Sequence, residues 1–294
     1  MTMPHATHSI SAPDGRTIRV YRWEGAAPKR GSVQIAHGMG EHAQRYRPVA
    51  EALAGAGYDV YANDHRGHGP LAAEAGALGD FGPAGFPAVV SDMVEVTRMA
   101  RRECGGGKVV LLGHSMGSFA TQLYILDHSD LVDGVALSGS AALDLLGAAA
   151  MTGQWKLEDL NAPFEPARTP FDWLSRDPAQ VDAYIGDPLC GFTVTPESYG
   201  SMFSVAPRLA DASELKRIRR DLPLFLFVGD LDPVNAKLAW FRPLVDRYRE
   251  AGLSDVSWHV YGGARHEVLN ETNRPEVLAV LRTWVDRVAS APGA

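Results

Sequence analysis

Short apolar runs alternate with segments of helical periodicity along most of this chain. Residues 7–24 alternate in polarity around Ala12-Pro13-Asp14-Gly15, which predicts an N-terminal β-hairpin. Further apolar runs predict strands, and amphipathic segments between them predict helices. The strands are expected at 32–36, 58–62, 108–112, 132–137, 222–228 and 256–261, and the helices at 46–56, 86–102, 116–126, 235–250 and 274–288. Strands separated by helices of this length form βαβ units, so the pattern predicts an α/β fold with a mostly parallel sheet flanked by helices.

One long region interrupts this alternation. Between Ala141 and Asp221 no run of residues predicts a buried strand, and prolines separate short segments rich in Trp, Phe and Tyr. An insertion of this size is expected to form a helical cap over the carboxyl edge of the sheet, although helices packed beside the sheet would give the same pattern. We therefore predict a core made of residues 1–140 and 222–294, with a cap of residues 141–221 inserted after the sixth strand.

The composition and charge narrow the class of protein. The 294 residues are 46% hydrophobic and 21% charged, which is typical of a globular chain that buries a core without disulfides or metals. With 28 basic and 35 acidic residues the formal net charge is −7, which argues against nucleic acid as a partner. The two cysteines, Cys104 and Cys190, are far apart in the sequence and predict separate thiols in a reducing compartment.

The apolar segments do not indicate secretion or membrane insertion. The N-terminal residues lack a basic stretch followed by an apolar one, so no signal peptide is predicted. The longest apolar stretch, residues 136–151, is interrupted by glycines and Asp144 and is too short to span a bilayer. We therefore predict a cytoplasmic protein with no transmembrane segment, which contacts a membrane at most peripherally.

The first candidate for chemistry is the G-x-S-x-G pattern of residues 113–117. It lies directly between a predicted strand and a predicted helix, and this context predicts a sharp turn that exposes the Ser115 hydroxyl. Glycines relieve crowding in such a turn, and the first backbone amides of the following helix face a developing oxyanion. Ser115 is therefore predicted to be a nucleophile.

A serine nucleophile needs a histidine base and a carboxylate that orients this base. Candidates follow the last two predicted strands, where Asp230, Asp232 and His266 lie in loops. Asp232 is favoured because it lies further into its loop, whereas Asp230 at the strand exit is expected to bind loop backbone. His266 is favoured over His259, which lies inside a predicted strand.

The segment His37–His42 follows the first predicted core strand. Its glycines permit a turn in which the Met39 amide faces the nucleophile, and this amide would join that of Met116 in an oxyanion hole. The segment also holds metal-ligand residue types, but serine chemistry needs no metal, and no further ligand loop of suitable spacing is apparent. We expect these side chains, and those of the loop at 64–69, to brace the neighbouring loops through hydrogen bonds.

Taken in order, several segments resemble the monoacylglycerol lipase and lysophospholipase branch of the α/β-hydrolases, which is often grouped with the serine aminopeptidases. The segments are His37–His42, Asp64–Gly69, Gly113–Gly117, Gly229–Asp232 and Arg265–Glu267. The resemblance implies a capped eight-stranded sheet and a catalytic triad of Ser115, Asp232 and His266. It also places the oxyanion hole on the Met39 and Met116 amides and implies no cofactor.

The resulting hypothesis is a serine hydrolase that cleaves a small-molecule ester or lipid through an acyl-enzyme. The aromatic and aliphatic residues of the predicted cap favour an apolar acyl or alcohol group, unless they form only the core of the cap itself. One alternative is an aminopeptidase-type hydrolase, which would need clustered acidic cap residues to bind an ammonium group. A second is a non-catalytic binding module, which would typically lack a member of the triad. Dehalogenase or epoxide-hydrolase chemistry is disfavoured because it would use an aspartate in place of Ser115.

Overall fold

A computed structural model describes residues 6–291 of the chain. The prediction that the N-terminal residues form no signal peptide rests partly on residues 1–5, which lie outside this range. Residues 1–5 and 292–294 are also the two ends of the predicted core. The strands are β1 (Ala6–Ser11), β2 (Thr17–Trp23), β3 (Gly31–Ala36), β4 (Tyr58–Asn63), β5 (Val109–His114), β6 (Gly134–Ser138), β7 (Leu224–Gly229) and β8 (Val256–Tyr261). The α-helices are α1 (Arg47–Gly55), α2 (Gly69–Glu74), α3 (Gly85–Glu103), α4 (Met116–His128), α5 (Leu143–Met151), α6 (Pro178–Gly186), α7 (Pro196–Ser204), α8 (Ala206–Ala210), α9 (Ala212–Leu215), α10 (Phe241–Glu250) and α11 (Arg274–Ser290).

All the strands join one sheet in the order β1-β2-β4-β3-β5-β6-β7-β8. The hairpin strand β2 runs antiparallel to both β1 and β4, and every other neighbouring pair is parallel. The predicted eight-stranded, mostly parallel sheet is therefore confirmed. Because parallel strands end at the same edge, the loops that follow β3, β5, β7 and β8 meet beyond their carboxyl ends.

Helices cover both faces of this sheet. Successive side chains of a strand point to opposite faces, so Val110 and Leu112 of β5 point to one face and Leu111 to the other. Helices α1 and α11 pack on the first face, and α3, α4 and α10 pack on the second. This burial on both sides explains why the central strands are continuous apolar runs.

The helix predicted at 235–250 is shorter than expected, because α10 begins only at Phe241. Ala236, Lys237 and Leu238 have φ angles of +51°, +51° and +76°, which a right-handed helix cannot contain. The Asn235 side chain accepts a hydrogen bond from the Leu238 amide at 2.7 Å and stabilises this turn. The predicted helix start was wrong because a local side-chain bond competes with helix formation here.

The chain between β6 and β7 forms helices α5 to α9 and no strand. Apolar side chains of α5, α7 and α8, among them Leu143, Met202 and Leu209, join the cluster that packs against the sheet. The division into a core and a separate cap at 141–221 stays a prediction. Among residues 6–291, no helix is both long enough and apolar enough to cross a membrane.

A buried ion pair stabilises the loop after β4. Arg66 donates to both carboxylate oxygens of Asp92 at 2.7 and 2.8 Å, and both side chains are almost fully buried. We expect Arg66→Met to lower the free energy of unfolding by about 3–5 kcal/mol, because it leaves a buried carboxylate without its partner. Chemical denaturation measures this loss. Arg98→Ala breaks the exposed pair with Glu95 and should cost less than about 1 kcal/mol, so equal losses in the two variants would contradict the prediction.

Candidate active site

Ser115 lies in a strained turn between β5 and α4. Its φ and ψ angles are 51° and −121°, a conformation that non-glycine residues rarely adopt. The flanking glycines make the turn possible. A Cβ atom on Gly113 would collide with the Gly117 carbonyl group, and one on Gly117 would collide with the Ala36 carbonyl group. The sequence thus positions the Ser115 side chain beyond the end of the central strand, as the G-x-S-x-G context predicts.

The segment after β3 lies directly beside Ser115. A Cβ atom on Gly38 would lie 3.2 Å from the Ser115 Cβ atom, so the two backbones are in close contact. Met39 follows Gly38 at the wall of the same cavity as Ser115, and Met116 begins α4 at that wall. Amides in the first turn of an α-helix have no partner within the helix, so the Met116 amide is a suitable donor to an anion.

Hydrogen bonds fix the backbone on both sides of Met39. The Gly38 amide donates to Glu41 Oε1 at 2.5 Å, and the Gly40 amide donates to His68 Nε2 at 3.2 Å. Because His68 Nε2 accepts this bond, the proton of the neutral ring lies on Nδ1, which donates to the Arg66 carbonyl oxygen at 2.8 Å. The prediction that these histidine-rich loops brace one another is confirmed.

Asp232 and His266 meet at the ends of β7 and β8. His266 Nδ1 lies 3.0 Å from each carboxylate oxygen of Asp232, which is fully buried. The Val234 amide donates to Asp232 Oδ1 at 2.8 Å, and the Asn235 side chain donates to Oδ2 at 3.4 Å. The carboxylate is thus held in place by two donors besides the imidazole ring.

The other candidates for the acid and the base, Asp230 and His259, contact groups away from Ser115, as predicted. Asp230 accepts a hydrogen bond from the Gly263 backbone amide at 2.7 Å. His259 lies within β8, where its ring packs against that of Tyr261 at a centroid distance of 4.4 Å. Neither residue lines the cavity beside Ser115.

The surroundings of His266 set its charge. Burial by itself lowers the pKa of His266, but the Asp232 carboxylate outweighs burial and raises the pKa above its usual 6.5. The rings of His114 and Trp173 pack against His266 at centroid distances of 4.9 and 5.2 Å. Burial, together with the neighbouring His266, lowers the pKa of His114 to about 3, so this second imidazole is neutral at pH 7.

Sequence reasoning missed a buried ion network next to His266. Arg45 donates to both carboxylate oxygens of Glu267 at 2.7 and 2.8 Å and to Glu41 at 2.5 Å. Burial would raise the pKa of Glu267, but the Arg45 guanidinium lowers it to about 2. Glu41 also accepts the Gly38 amide bond, so this network joins the histidine loop to the segment that holds Met39. No local signal marks Arg45, which is 222 positions away from Glu267.

A cavity of about 430 Å³ connects these groups. Ser115, His266 and Met39 line it from the sheet side, while Asp232 lies behind His266. The opposite wall consists largely of apolar side chains from the segment between β6 and β7, among them Leu146, Trp155, Phe171, Phe192, Met202 and Phe203. This size and lining are typical of sites that bind small molecules.

The parallel sheet, the strained serine turn and the carboxylate-bonded histidine define an α/β-hydrolase. Residues 27–273 match the model of the family described as serine aminopeptidase, S33. The chain is 31% identical to a monoacylglycerol lipase of Mycolicibacterium smegmatis over 280 residues, or 95% of this chain and 96% of that relative. A monoglyceride lipase of Mus musculus is 27% identical over 98% of this chain and 92% of its own length. The chain belongs to the serine aminopeptidase S33 family of α/β-hydrolases.

Solved structures agree with this assignment. A thermostable carboxyl esterase from Bacillus coagulans, solved in complex with glycerol, superposes with a TM-score of 0.85 and is 26% identical. The alignment covers 98% of this chain and all of the esterase. These comparisons confirm the predicted hydrolase fold, the resemblance to monoacylglycerol lipases and the prediction of a hydrolytic enzyme. The assignment of individual catalytic residues stays a prediction.

Proposed function

We propose that this enzyme hydrolyses monoacylglycerols and related carboxylic esters through a covalent acyl-enzyme. The observation that carries the proposal is that Ser115 and the Asp232-bonded His266 line one apolar cavity. The relatives named monoacylglycerol lipase support the choice of a glycerol ester as substrate.

In the first half-reaction, His266 acts as the base. Its Nδ1–H donates to Asp232, which leaves the lone pair of Nε2 to accept the Ser115 proton. The Ser115 oxygen attacks the ester carbonyl carbon, and the Met39 and Met116 amides stabilise the negative charge on the carbonyl oxygen. When the tetrahedral intermediate collapses, the alcohol leaves with the proton from His266, and the acyl group stays on Ser115.

In the second half-reaction, water replaces the alcohol. His266 Nε2 removes a proton from water, which attacks the acyl carbonyl carbon, and the same amides stabilise the oxyanion. Collapse releases the carboxylic acid and returns the proton to Ser115. The Arg45 network acts as a positioning group in this scheme, because it fixes both the loop of His266 and the segment of Met39.

The acyl group is expected to occupy the apolar part of the cavity. We predict that kcat/KM rises from acetyl to medium-chain glycerol esters by about fourfold per methylene, because each buried CH₂ contributes about 0.8 kcal/mol until the cavity is full. Initial rates on a series of monoacylglycerols measure this trend. Leu146→Trp narrows the apolar wall and should lower the rate for long chains while keeping that for acetyl esters. A preference for acetyl esters in the unaltered enzyme would contradict the prediction.

The aminopeptidase alternative has less support from the cavity. An ammonium site would need clustered acidic residues, but of the acidic residues in segment 141–221 only Glu158 lines the cavity. Asp172 is bound to the Thr169 hydroxyl group and Asp182 to the Arg168 guanidinium. If no ester in the series is cleaved and aminoacyl amides are, the peptidase function replaces the one proposed.

The pH dependence should report the proton on His266. The base is active only as the neutral imidazole, and Asp232 raises its pKa above 6.5. We therefore expect kcat/KM to decrease as the pH falls through this raised pKa, and we expect the midpoint of the decrease to lie above pH 6.5. The profile is measured on an uncharged ester, with circular dichroism at each pH as the control for folding. Constant activity down to pH 5 would contradict a histidine base.

We also propose that the segment from the end of α5 to Leu157 contacts lipid aggregates. Leu157, which lines the cavity, is 37% exposed, and Met151 at the end of α5 is 91% exposed. Apolar side chains at these positions favour contact with a lipid surface without insertion of a spanning segment. A cytoplasmic location stays a prediction from the sequence.

A further inference from the structure

Three metal-ligand side chains meet beside the catalytic cluster. His42 lies at the end of the segment that holds Met39, and Asp187 and Cys190 lie in the loop after α6. One ligand atom from each residue lies within 4.8 Å of the other two. None of these side chains has a role in the proposed hydrolytic mechanism.

The loop after α6 holds Asp187 and Cys190 close to each other and to His42. The Cys190 amide donates to the Asp187 carbonyl oxygen at 3.0 Å, which closes a tight turn. The Leu189 amide donates to Asp187 Oδ1 at 2.9 Å, so Oδ2 is left for His42. The spacing Asp-x-x-Cys therefore acts as a preformed pair of ligands.

His42 supplies an independent indication of a ligand. Its side chain is almost fully buried, and its Nδ1 atom has no hydrogen-bond partner among the described residues. The Nε2 atom lies 2.9 Å from Asp187 Oδ2. The buried ring therefore keeps one nitrogen without a partner, which marks an incompletely satisfied polar group at this place.

We propose that His42, Asp187 and Cys190 form a zinc site. Imidazole nitrogen, thiolate sulfur and carboxylate oxygen all suit Zn²⁺, whereas Ca²⁺ and Mg²⁺ prefer oxygen ligands alone. Ligand atoms around a tetrahedral ion lie about 3.5 Å apart, so His42 Nε2 and Asp187 Oδ2 must separate slightly from 2.9 Å while the Cys190 sulfur moves toward them from within 4.8 Å. Water fills the fourth position. When the Zn–S bond forms, the Cys190 thiol loses its proton to solvent.

The local charge favours a divalent cation. Arg45, whose charge acts on both Asp187 and Cys190, is already paired with Glu41 and Glu267, and Asp187 adds a further carboxylate. Carboxylates therefore outnumber cations around the proposed site. Burial and the same carboxylates raise the pKa of the Cys190 thiol, so the Zn–S bond must supply the free energy that removes its proton.

A bound ion would cross-link two segments that already contact each other. The Gly191 amide and the Tyr184 hydroxyl group donate to the Gly40 carbonyl oxygen at 2.9 and 3.0 Å. Coordination by His42 would join the same two segments by metal–ligand bonds. We therefore expect Zn²⁺ to raise the melting temperature of the protein by several degrees.

Cobalt absorption tests the site directly. The full chain, reduced and freed of metal with a chelator, is titrated with Co²⁺, which reports thiolate ligation by a charge-transfer band in the near ultraviolet. We expect a saturable band that Zn²⁺ abolishes, and we expect it to be missing in Cys190→Ser. Cys104→Ser is the matched control, because the Cys104 thiol bonds the Arg101 and Gly107 carbonyl groups and lies outside the cluster.

Competition with a chromophoric chelator then gives the Zn²⁺ affinity. Asp187→Asn and Cys190→Ser should each weaken binding by more than about 100-fold, since loss of a ligand costs more than loss of an outer hydrogen bond. The metal-free variants are checked for folding by circular dichroism. Absence of a saturable cobalt band, or an equal band in Cys190→Ser, overturns the proposal. These readouts do not depend on ester hydrolysis, so they are independent of the proposed function.

Discussion

Replacing Ser115 with alanine is expected to lower kcat/KM for monoacylglycerol hydrolysis by on the order of 10⁴- to 10⁶-fold. The variant retains the cavity and the backbone donors but lacks the oxygen that forms the acyl-enzyme. The rate that remains should come from water that reacts within the oxyanion hole. Steady-state kinetics on one medium-chain ester measure the loss, and an unchanged melting temperature shows that the variant is folded.

Labelling with a serine-directed fluorophosphonate distinguishes loss of the nucleophile in Ser115→Ala from loss of substrate binding. We expect the reagent to label the unaltered enzyme but not Ser115→Ala. Ser118→Ala provides a matched control on the same helix and should still be labelled, because the buried Ser118 hydroxyl group donates to the Ser115 backbone carbonyl oxygen, contacts the Ser140 hydroxyl group and is not the predicted nucleophile. Labelling of Ser115→Ala, or a full rate in this variant, would exclude Ser115 as the nucleophile. An unaltered protein that is neither labelled nor active would favour a binding module.

Local patterns explain why much of the fold could be predicted. The run at 108–112 is apolar at every position from Val109 onward, and it forms the central strand β5, which helices cover on both faces. Gly113 has a local cause, because a Cβ atom there would collide with the Gly117 carbonyl group, whereas Gly117 is needed for the close approach of the distant Ala36 carbonyl group. The G-x-S-x-G pattern between a strand and a helix nevertheless marks Ser115 without knowledge of that contact. The order of the later strands then indicates which loops share an edge with this turn. For this reason the sequence pattern is sufficient to select Asp232 and His266 as candidates.

Contacts between distant parts of the chain could not be predicted in this way. Arg45 joins Glu41 to Glu267, and His42 joins Asp187 from a position 145 residues away. The Arg45 contact depends on how the loop after β8 lies against the segment after β3. The His42 contact depends on how the segment after β6 packs against that same segment, and the irregular short helices after β6 carry no clear periodicity.

Asn235 is a different case, because its signal is local. The residue lies in the turn that replaced the predicted helix start, where its side chain bonds both the Leu238 amide and Asp232. Asn is favoured in turns because its side chain binds nearby backbone groups. A turn that begins at Asn235 could therefore have been predicted in place of a helix.

Asp232→Asn is expected to lower kcat by on the order of 10⁴-fold while the protein stays folded. The neutral amide cannot stabilise the imidazolium form of His266. If its NH₂ group donates to Nδ1, the ring proton moves to Nε2, which can then no longer accept the Ser115 proton. The Val234 amide can still donate to the new side-chain oxygen, so the loop should remain intact. The measurement is kcat on the same ester, together with the melting temperature.

Asp230→Asn provides the matched comparison, because the same chemical change is made two positions away. Asp230 accepts its bond from the Gly263 amide, and an asparagine oxygen accepts that bond equally well. We therefore expect kcat within a few-fold of the unaltered enzyme. If Asp230→Asn instead shows the large loss and Asp232→Asn does not, the acid has been assigned to the wrong residue. If both variants keep their activity, His266 works without a carboxylate partner, and the raised pKa of its ring has no part in catalysis.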